Sequence, residues 1–142
     1  GLTSLAVADL NGDGLRDVVA TAWSSDVLVV FPGAADTYFG PPKFFPAAGG
    51  PRQIALADFD NDKHLDAAVV METTGELALF KGDGAGGFAE VNRFETRGRL
   101  PSCVKVADIN HDGKPDIVVS HNFSDDSIVR SYRKDGIDNQ AL

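Results

Sequence analysis

Short runs of apolar and β-branched residues, separated by Gly, Asp, Asn and Ser, recur along the whole chain. Runs of this length and composition are typical of β-strands, and no segment keeps the 3.6-residue period of an amphipathic helix. The pattern therefore predicts an all-β chain with almost no helix. The predicted strands are residues 4–8, 17–22, 27–31, 43–47, 53–57, 67–71, 76–80, 90–94, 103–107, 117–121 and 127–132.

The strand pattern repeats with a period close to fifty residues. SLAVADLNGDGLRDVVA aligns with QIALADFDNDKHLDAAVV and with VKVADINHDGKPDIVVS, and their acidic segments begin 49 and 50 residues apart. Each copy has an alternating apolar run that ends in Ala-Asp, then an acidic loop, then a Val-rich run. Four short antiparallel strands at a fixed period are typical of one β-propeller blade.

The repeat predicts about three blades in a single, partial propeller domain over residues 1–142. The copies span roughly residues 1–49, 50–99 and 100–142, and the last is expected to lack its fourth strand. The first strand of each copy is the most uniformly apolar, so we expect it to be innermost and buried on both sides. Known propellers have about four to eight blades. The remaining blades are therefore expected from a longer chain, which we favour, or from another copy that closes the ring.

The three acidic loops are DLNGDGLRD, DFDNDKHLD and DINHDGKPD. They place side-chain oxygens at positions 1, 3 and 5 and a backbone carbonyl at position 7, and two of them have Gly at position 6. This matches the start of an EF-hand calcium loop, with the Asp at position 9 closing the site in place of the absent Glu. The predicted ligands are Asp9, Asn11, Asp13, Leu15 and Asp17; Asp58, Asp60, Asp62, His64 and Asp66; and Asp108, Asn110, Asp112, Lys114 and Asp116.

Hard oxygen ligands at irregular angles favour Ca²⁺ over Zn²⁺ or Cu²⁺. Three bound Ca²⁺ ions would bring the formal charge from −8 to −2. The alternative is an ordinary Asn-Gly or Asp-Gly turn with solvated acids. Loop two has Lys63 at position 6, where a left-handed backbone costs a non-Gly residue roughly 1–2 kcal/mol. We expect its site to be occupied with a different affinity. The His64 and His111 side chains are expected to be solvated.

The segments VADLNGDGLRDVV, LADFDNDKHLDAAVV and VADINHDGKPDIVV, together with GDGAGGF, resemble the FG-GAP/VCBS repeat family. That family includes the propeller of integrin alpha chains and many bacterial surface proteins. The resemblance covers nearly the whole chain and implies that each acidic loop joins the first two strands of a blade and holds Ca²⁺. Family propellers commonly have seven blades, and the short length departs from that pattern.

Charge and hydropathy exclude some classes of binding partner. The chain has 21 acidic and 13 basic residues, so a basic footprint for nucleic acid is missing. No apolar run reaches the roughly 18 residues that a membrane helix needs, which predicts no membrane insertion. With the resemblance, the sequence predicts an extracellular, calcium-stabilised module that binds a protein or carbohydrate ligand. The alternative is the propeller portion of a secreted polysaccharide lyase or a related carbohydrate-active enzyme.

The ligand face is expected at the end of the blades opposite the acidic loops. Aromatic and Arg side chains are common at binding hot spots, and ordinary loop polarity is the competing interpretation. Catalysis would fall on His121 with Arg99, Asp125 and Asp126, but no nucleophile motif supports it, so we predict no catalytic residues. The lone Cys103 is read as a structural thiol. The candidate ligand residues are Trp23, Arg52, Glu72, Arg99 and His121.

Overall fold

The computed structural model describes residues 1–122, 128–133 and 136–141, with side chains described up to residue 122. This part is all-β and holds one short 3-10 turn at Trp23–Ser25, so the predicted fold class is confirmed. The strands are β1 (Leu2–Ala8), β2 (Asp17–Ala22), β3 (Val27–Phe31), β4 (Gly33–Ala34), β5 (Tyr38–Phe39), β6 (Lys43–Pro46), β7 (Pro51–Ala57), β8 (Asp66–Met71), β9 (Glu76–Gly82), β10 (Phe88–Glu95), β11 (Pro101–Ala107), β12 (Asp116–His121), β13 (Ile128–Arg133) and β14 (Gly136–Ala141).

Three four-stranded antiparallel sheets form the repeated unit. Their strand orders are β1-β2-β3-β6, β7-β8-β9-β10 and β11-β12-β13-β14, and we call them blades 1, 2 and 3. A two-stranded hairpin, β4-β5, interrupts the path from the third to the fourth strand of blade 1. The described blades are open, as in part of a propeller, and do not close into a ring.

Blade 3 has the fourth strand that its sequence did not predict. Strand β14 pairs with β13 in antiparallel register from Ile128↔Ala141 to Arg133↔Gly136. The sequence of β14, GIDNQA, is mostly polar and lacks an alternating apolar pattern. An outer strand of a blade can be held by its backbone ladder alone, so hydrophobic pattern does not detect it.

Blade 2 is sandwiched between the other two blades. Val69 and Met71 of its second strand pack in one apolar cluster with blade 1, which includes Val19, Leu28 and Val30. The neighbouring Ala68 and Val70 pack in a second cluster with blade 3. Successive side chains of a strand point to opposite faces of the sheet. All six residues of β8 are therefore buried, and after Asp66 the strand is a continuous apolar run from Ala67 to Met71.

The prediction that the first strand is buried on both sides is wrong. In blade 2, which has a blade on each face, only Pro51 and Ile54 of β7 are buried, whereas every residue of β8 is buried. Each first strand lies at the edge of its sheet and contacts the first strand of the next blade. The second strand has sheet neighbours on both sides, and in blade 2 it also has blades on both faces, so it loses more solvent contact.

Candidate metal sites in the acidic loops

Each acidic loop connects the first and second strands of its blade, so the three loops lie at equivalent positions. All three close through the same hydrogen bond, in which the position-6 backbone N–H donates to Oδ2 of the position-1 aspartate. The N–O distances are 2.9 Å for Gly14 to Asp9, 2.8 Å for Lys63 to Asp58 and 2.9 Å for Gly113 to Asp108. The repeated sequence therefore produces one repeated turn.

The oxygens at positions 3 and 5 also turn inward onto the loop backbone. The position-7 N–H donates to Oδ1 of Asp13, Asp62 or Asp112 at 2.7, 2.8 and 2.9 Å. Oδ1 of Asn11 accepts from the Asp13 N–H at 3.0 Å, and Asn110 accepts from Asp112 at the same distance. These bonds fold the side-chain oxygens of each loop back onto the backbone of the same turn.

The turn also shifts the pKa of the first aspartate of loop one. The N–H of Gly14, followed by weaker bonds from other loop amides and against an opposing effect of burial, lowers the pKa of Asp9 below its ordinary value. Hydrogen bonds to the charged form favour ionisation. The loop backbone therefore holds this carboxylate in the form that binds a cation.

The position-9 aspartates are buried and tie the loops to the sheets. Asp17, Asp66 and Asp116 are only 1%, 5% and 2% exposed. Oδ2 of each accepts from the backbone N–H at position 2, at 2.8, 3.0 and 2.8 Å. Burial raises the pKa of Asp66, and the nearby charges of Asp60 and Asp62 add to that effect, while two backbone hydrogen bonds oppose it. These carboxylates therefore have a structural role in addition to the predicted coordination.

In blades 1 and 2, a glycine at or just after the end of the third strand donates a second hydrogen bond to the buried aspartate. Gly33 and Gly82 donate backbone N–H groups to Oδ1 of Asp17 and Asp66, at 2.7 and 2.9 Å. By the strand register, the corresponding residue of blade 3 is Tyr132. Among the described residues, Oδ1 of Asp116 is buried and has no hydrogen-bond partner.

Loop two adopts a left-handed backbone at position 6, although that position holds Lys63 and not glycine. Lys63 has φ 73°, close to the 84° and 82° of Gly14 and Gly113 at the same position. The His64 and His111 side chains are exposed, as predicted. The turn is thus conserved in shape across the three blades even where glycine is replaced.

The oxygens of loop two have a spacing suited to a metal ion. One carboxylate oxygen from each of Asp58, Asp60 and Asp66 lies within 4.8 Å of the others, so an ion at their centre would reach all three. Loops one and three have Asn at position 3, and so present fewer carboxylates. In all three loops the oxygen-only donor set fits Ca²⁺ better than a softer transition metal.

The opposite end of the blades brings together only some of the predicted ligand residues. Trp23, 43% exposed, borders a groove of about 370 Å³ with Ser24, Asp26, Gly49, Gly50 and Thr73. Arg52 forms an ion pair with Glu72, at 2.5 Å between Nη1 and Oε1, and Glu72 donates its N–H to the Gly50 carbonyl. These three predicted residues therefore lie in one region, on blades 1 and 2.

The other two predicted ligand residues lie elsewhere. The His121 ring, on blade 3, shares a 2.8 Å hydrogen bond with the Thr96 hydroxyl, and Arg99 is exposed in the loop between blades 2 and 3. The sequence reading missed Asp26, which accepts hydrogen bonds from the Gly49 and Gly50 N–H groups. Its left-handed φ of 51° at the end of the 3-10 turn could not be read from sequence. Asp125 and Asp126 lie outside the described residues.

Three repeated blades with one acidic turn apiece define a β-propeller-type repeat module. The model of the FG-GAP-like repeat matches residues 9–69 and again residues 58–119, and each match runs from the first aspartate of a loop into the second strand of the next blade. The chain therefore belongs to the FG-GAP-like repeat family, as its resemblance implied. A search of the curated proteins gives no match. Within the part of the chain that the structure describes, no helix has the length and apolar character needed to cross a membrane.

Proposed function

We propose that this chain is a calcium-binding FG-GAP-type propeller module that acts outside the cell in adhesion or ligand binding. The observation that carries the proposal is the same hydrogen-bonded acidic turn at the same place in three blades, closed by the bonds to Asp9, Asp58 and Asp108. In loop two, carboxylate oxygens of Asp58, Asp60 and Asp66 also lie close enough together to share one ion. Family membership supports it. Millimolar calcium outside cells would fill even weak sites of this type.

Bound Ca²⁺ would neutralise the negative charge of the carboxylates that lie close together in each loop. In loop one the ligands would be the side chains of Asp9, Asn11, Asp13 and Asp17 and the carbonyl of Leu15, and the other loops would use their counterparts. A cation there would offset the repulsion among carboxylates in a tight turn and would join the turn to the start of the second strand. Its role is then to hold each blade together at one end.

We infer that the outer face of blade 1 receives a further blade of the same repeat type from a longer chain. The strand register aligns Leu5, Ala20, Val29 and Phe44 in one row across this face. Leu5 and Phe44 are 62% and 63% exposed, and the face holds an apolar groove of about 520 Å³. Contiguous apolar surface that is exposed in this way usually marks a site of contact with another protein segment.

The interface between blades 1 and 2 supports that occupant. By register, Ala20 and Val29 correspond to Val69 and Ala78, which pack against blade 1 in the existing interface. A preceding blade could therefore cover blade 1 as blade 1 covers blade 2. Analytical ultracentrifugation of the 142-residue chain tests the source. If the wild-type chain and the Phe44→Asp variant are both monomers, the result agrees with a covering blade from elsewhere in a longer chain. If the wild-type chain self-associates and Phe44→Asp abolishes that association, the face belongs to an interface with a second copy.

The ligand surface is proposed at the groove beside Trp23, with a carbohydrate as the ligand to test first. An exposed indole can stack on a sugar ring, and Ser24, Asp26 and Thr73 supply polar groups at its border. The groove lies at the end of the blades opposite the calcium loops, so metal binding and ligand binding would use different surfaces. A protein ligand, and a role as part of a carbohydrate-active enzyme, are the alternatives.

Binding to an array of defined glycans should detect at least one ligand, and Trp23→Ala should weaken it about tenfold or more, as loss of a central aromatic contact usually does. Tyr38→Ala is the matched control, because Tyr38 is an exposed aromatic residue (88%) on the β4-β5 hairpin, away from this groove. If no glycan binds the folded, calcium-loaded protein, or if the two variants lose binding equally, the carbohydrate proposal is wrong. Chain cleavage of a bound polysaccharide would favour the enzyme alternative.

A further inference from the structure

A lysine from a neighbouring strand contacts loop two, and the local sequence of the loop does not predict this contact. Lys81, near the end of β9, places its Nζ 2.7 Å from Oδ2 of Asp62 and in direct ion-pair contact with Oδ2 of Asp60. These aspartates occupy positions 3 and 5 of the loop. The ammonium therefore occupies oxygens that are predicted to bind Ca²⁺.

Neither of the other blades has a lysine at the position that corresponds to Lys81. The register pairs Phe31 with Val18, Phe80 with Ala67 and Arg130 with Ile117, so the residues corresponding to Lys81 are Pro32 and Ser131. Neither carries a charge. Loop two is also the loop with a carboxylate, Asp60, at position 3, where loops one and three have Asn. The additional acid, Asp60, and the additional base, Lys81, thus occur in the same blade and contact each other.

We propose that Lys81 is an internal cation that competes with Ca²⁺ for loop two and lowers the affinity of that loop for the ion. The inference rests on the proposed calcium function of the loops. An ammonium group donates hydrogen bonds to the oxygens that a calcium ion would coordinate, so the ion must displace it or share its ligands. The two ion pairs of Lys81 must then be broken on binding, which opposes calcium binding at loop two.

The geometry allows the exchange to be reversible. The Lys81 side chain is 45% exposed, so its ammonium can move into solvent when calcium arrives. Before calcium arrives, the same ammonium offsets the repulsion between Asp60 and Asp62. Loop two, in the central blade, would therefore keep its turn in low calcium.

A calcium titration followed by amide NMR tests this loop by loop, with the N–H signals of Leu15, His64 and Lys114 as reporters. Lys81→Met should lower the calcium midpoint of the His64 signal by up to about tenfold and leave the midpoints of Leu15 and Lys114 in place. Lys105→Met is the matched control, because it removes an exposed lysine of β11 outside the loops.

Two further results keep the inference separate from the calcium proposal. The double variant Asp60→Asn/Lys81→Met, which gives loop two the charge pattern of loop one, should bring the His64 midpoint close to that of Leu15. An unchanged His64 midpoint in folded Lys81→Met and in the double variant would overturn the role of Lys81. If none of the three loops responds to calcium, the proposed function itself fails.

Discussion

Adding millimolar Ca²⁺ to the chelated protein should raise its Tm by about 8 °C for each site held at a hundredfold excess over its Kd. A ligand that binds only the folded state at that excess contributes about 2.7 kcal/mol, and 1 kcal/mol corresponds to roughly 3 °C for a chain of this size. The measurement is a thermal melt followed by circular dichroism, in EDTA and in excess Ca²⁺, at matched ionic strength. Identical melts would contradict the calcium account.

Two loop-one variants separate metal binding from folding. Asp13→Ala should leave the EDTA melt nearly unchanged and reduce the calcium-induced shift, because Asp13 is exposed. Its two bonds, from the Leu15 N–H and the Asn11 side-chain amide, are also exposed, so water can replace them. Asp17→Ala should lower the Tm even in EDTA, since the buried carboxylate accepts from the Leu10 and Gly33 N–H groups. Buried donors left without a partner cost roughly 1–3 kcal/mol each. Equal behaviour of the two variants would remove the distinction between these aspartates.

Gly82→Ala should destabilise the chain by about 3 kcal/mol or more, because the added carbon cannot be accommodated. A Cβ at Gly82 would overlap the backbone carbonyl oxygen of Leu65 in loop two. Moving β9 to relieve that overlap would break the 2.9 Å bond from the Gly82 N–H to the buried Asp66. The variant therefore combines steric strain with an unsatisfied buried carboxylate.

Urea denaturation in EDTA measures this effect without a contribution from metal. Gly75→Ala is the matched control: Gly75 has φ 75°, and a Cβ there would meet nothing nearer than 4.0 Å. It should lose only about 1 kcal/mol, the ordinary cost of a left-handed non-glycine residue. If Gly82→Ala loses no more than Gly75→Ala, the close approach of β9 to loop two is not what stabilises the blade.

The repeat explains why so much of the fold could be predicted from sequence. The apolar runs and the recurring acidic loops set the positions of eleven of the twelve blade strands to within a few residues, because each run both forms a strand and buries a face. The fourth strand of blade 3 was missed since GIDNQA carries little apolar signal. The depth of the first strand was misjudged because its exposure depends on its place at the sheet edge, which composition does not encode.

Some features of the candidate sites could be predicted from sequence and others could not. The spacing within nine residues predicted the ligands of each loop, and whether those residues bind Ca²⁺ remains a prediction. Lys81 and Gly82 were not predicted, because they reach loop two from another strand and only the register between β8 and β9 brings them there. Contacts between distant positions depend on tertiary packing and are not visible in local patterns.

Equilibrium dialysis with radioactive calcium tests the central claim most directly, because it counts the ions that each folded chain holds. The account predicts three ions per wild-type chain at millimolar free Ca²⁺. Asp13→Ala and Asp112→Ala should each remove about one ion, because each takes the position-5 ligand from a different loop. Fewer than one ion per folded chain, or a count that neither substitution changes, would contradict it.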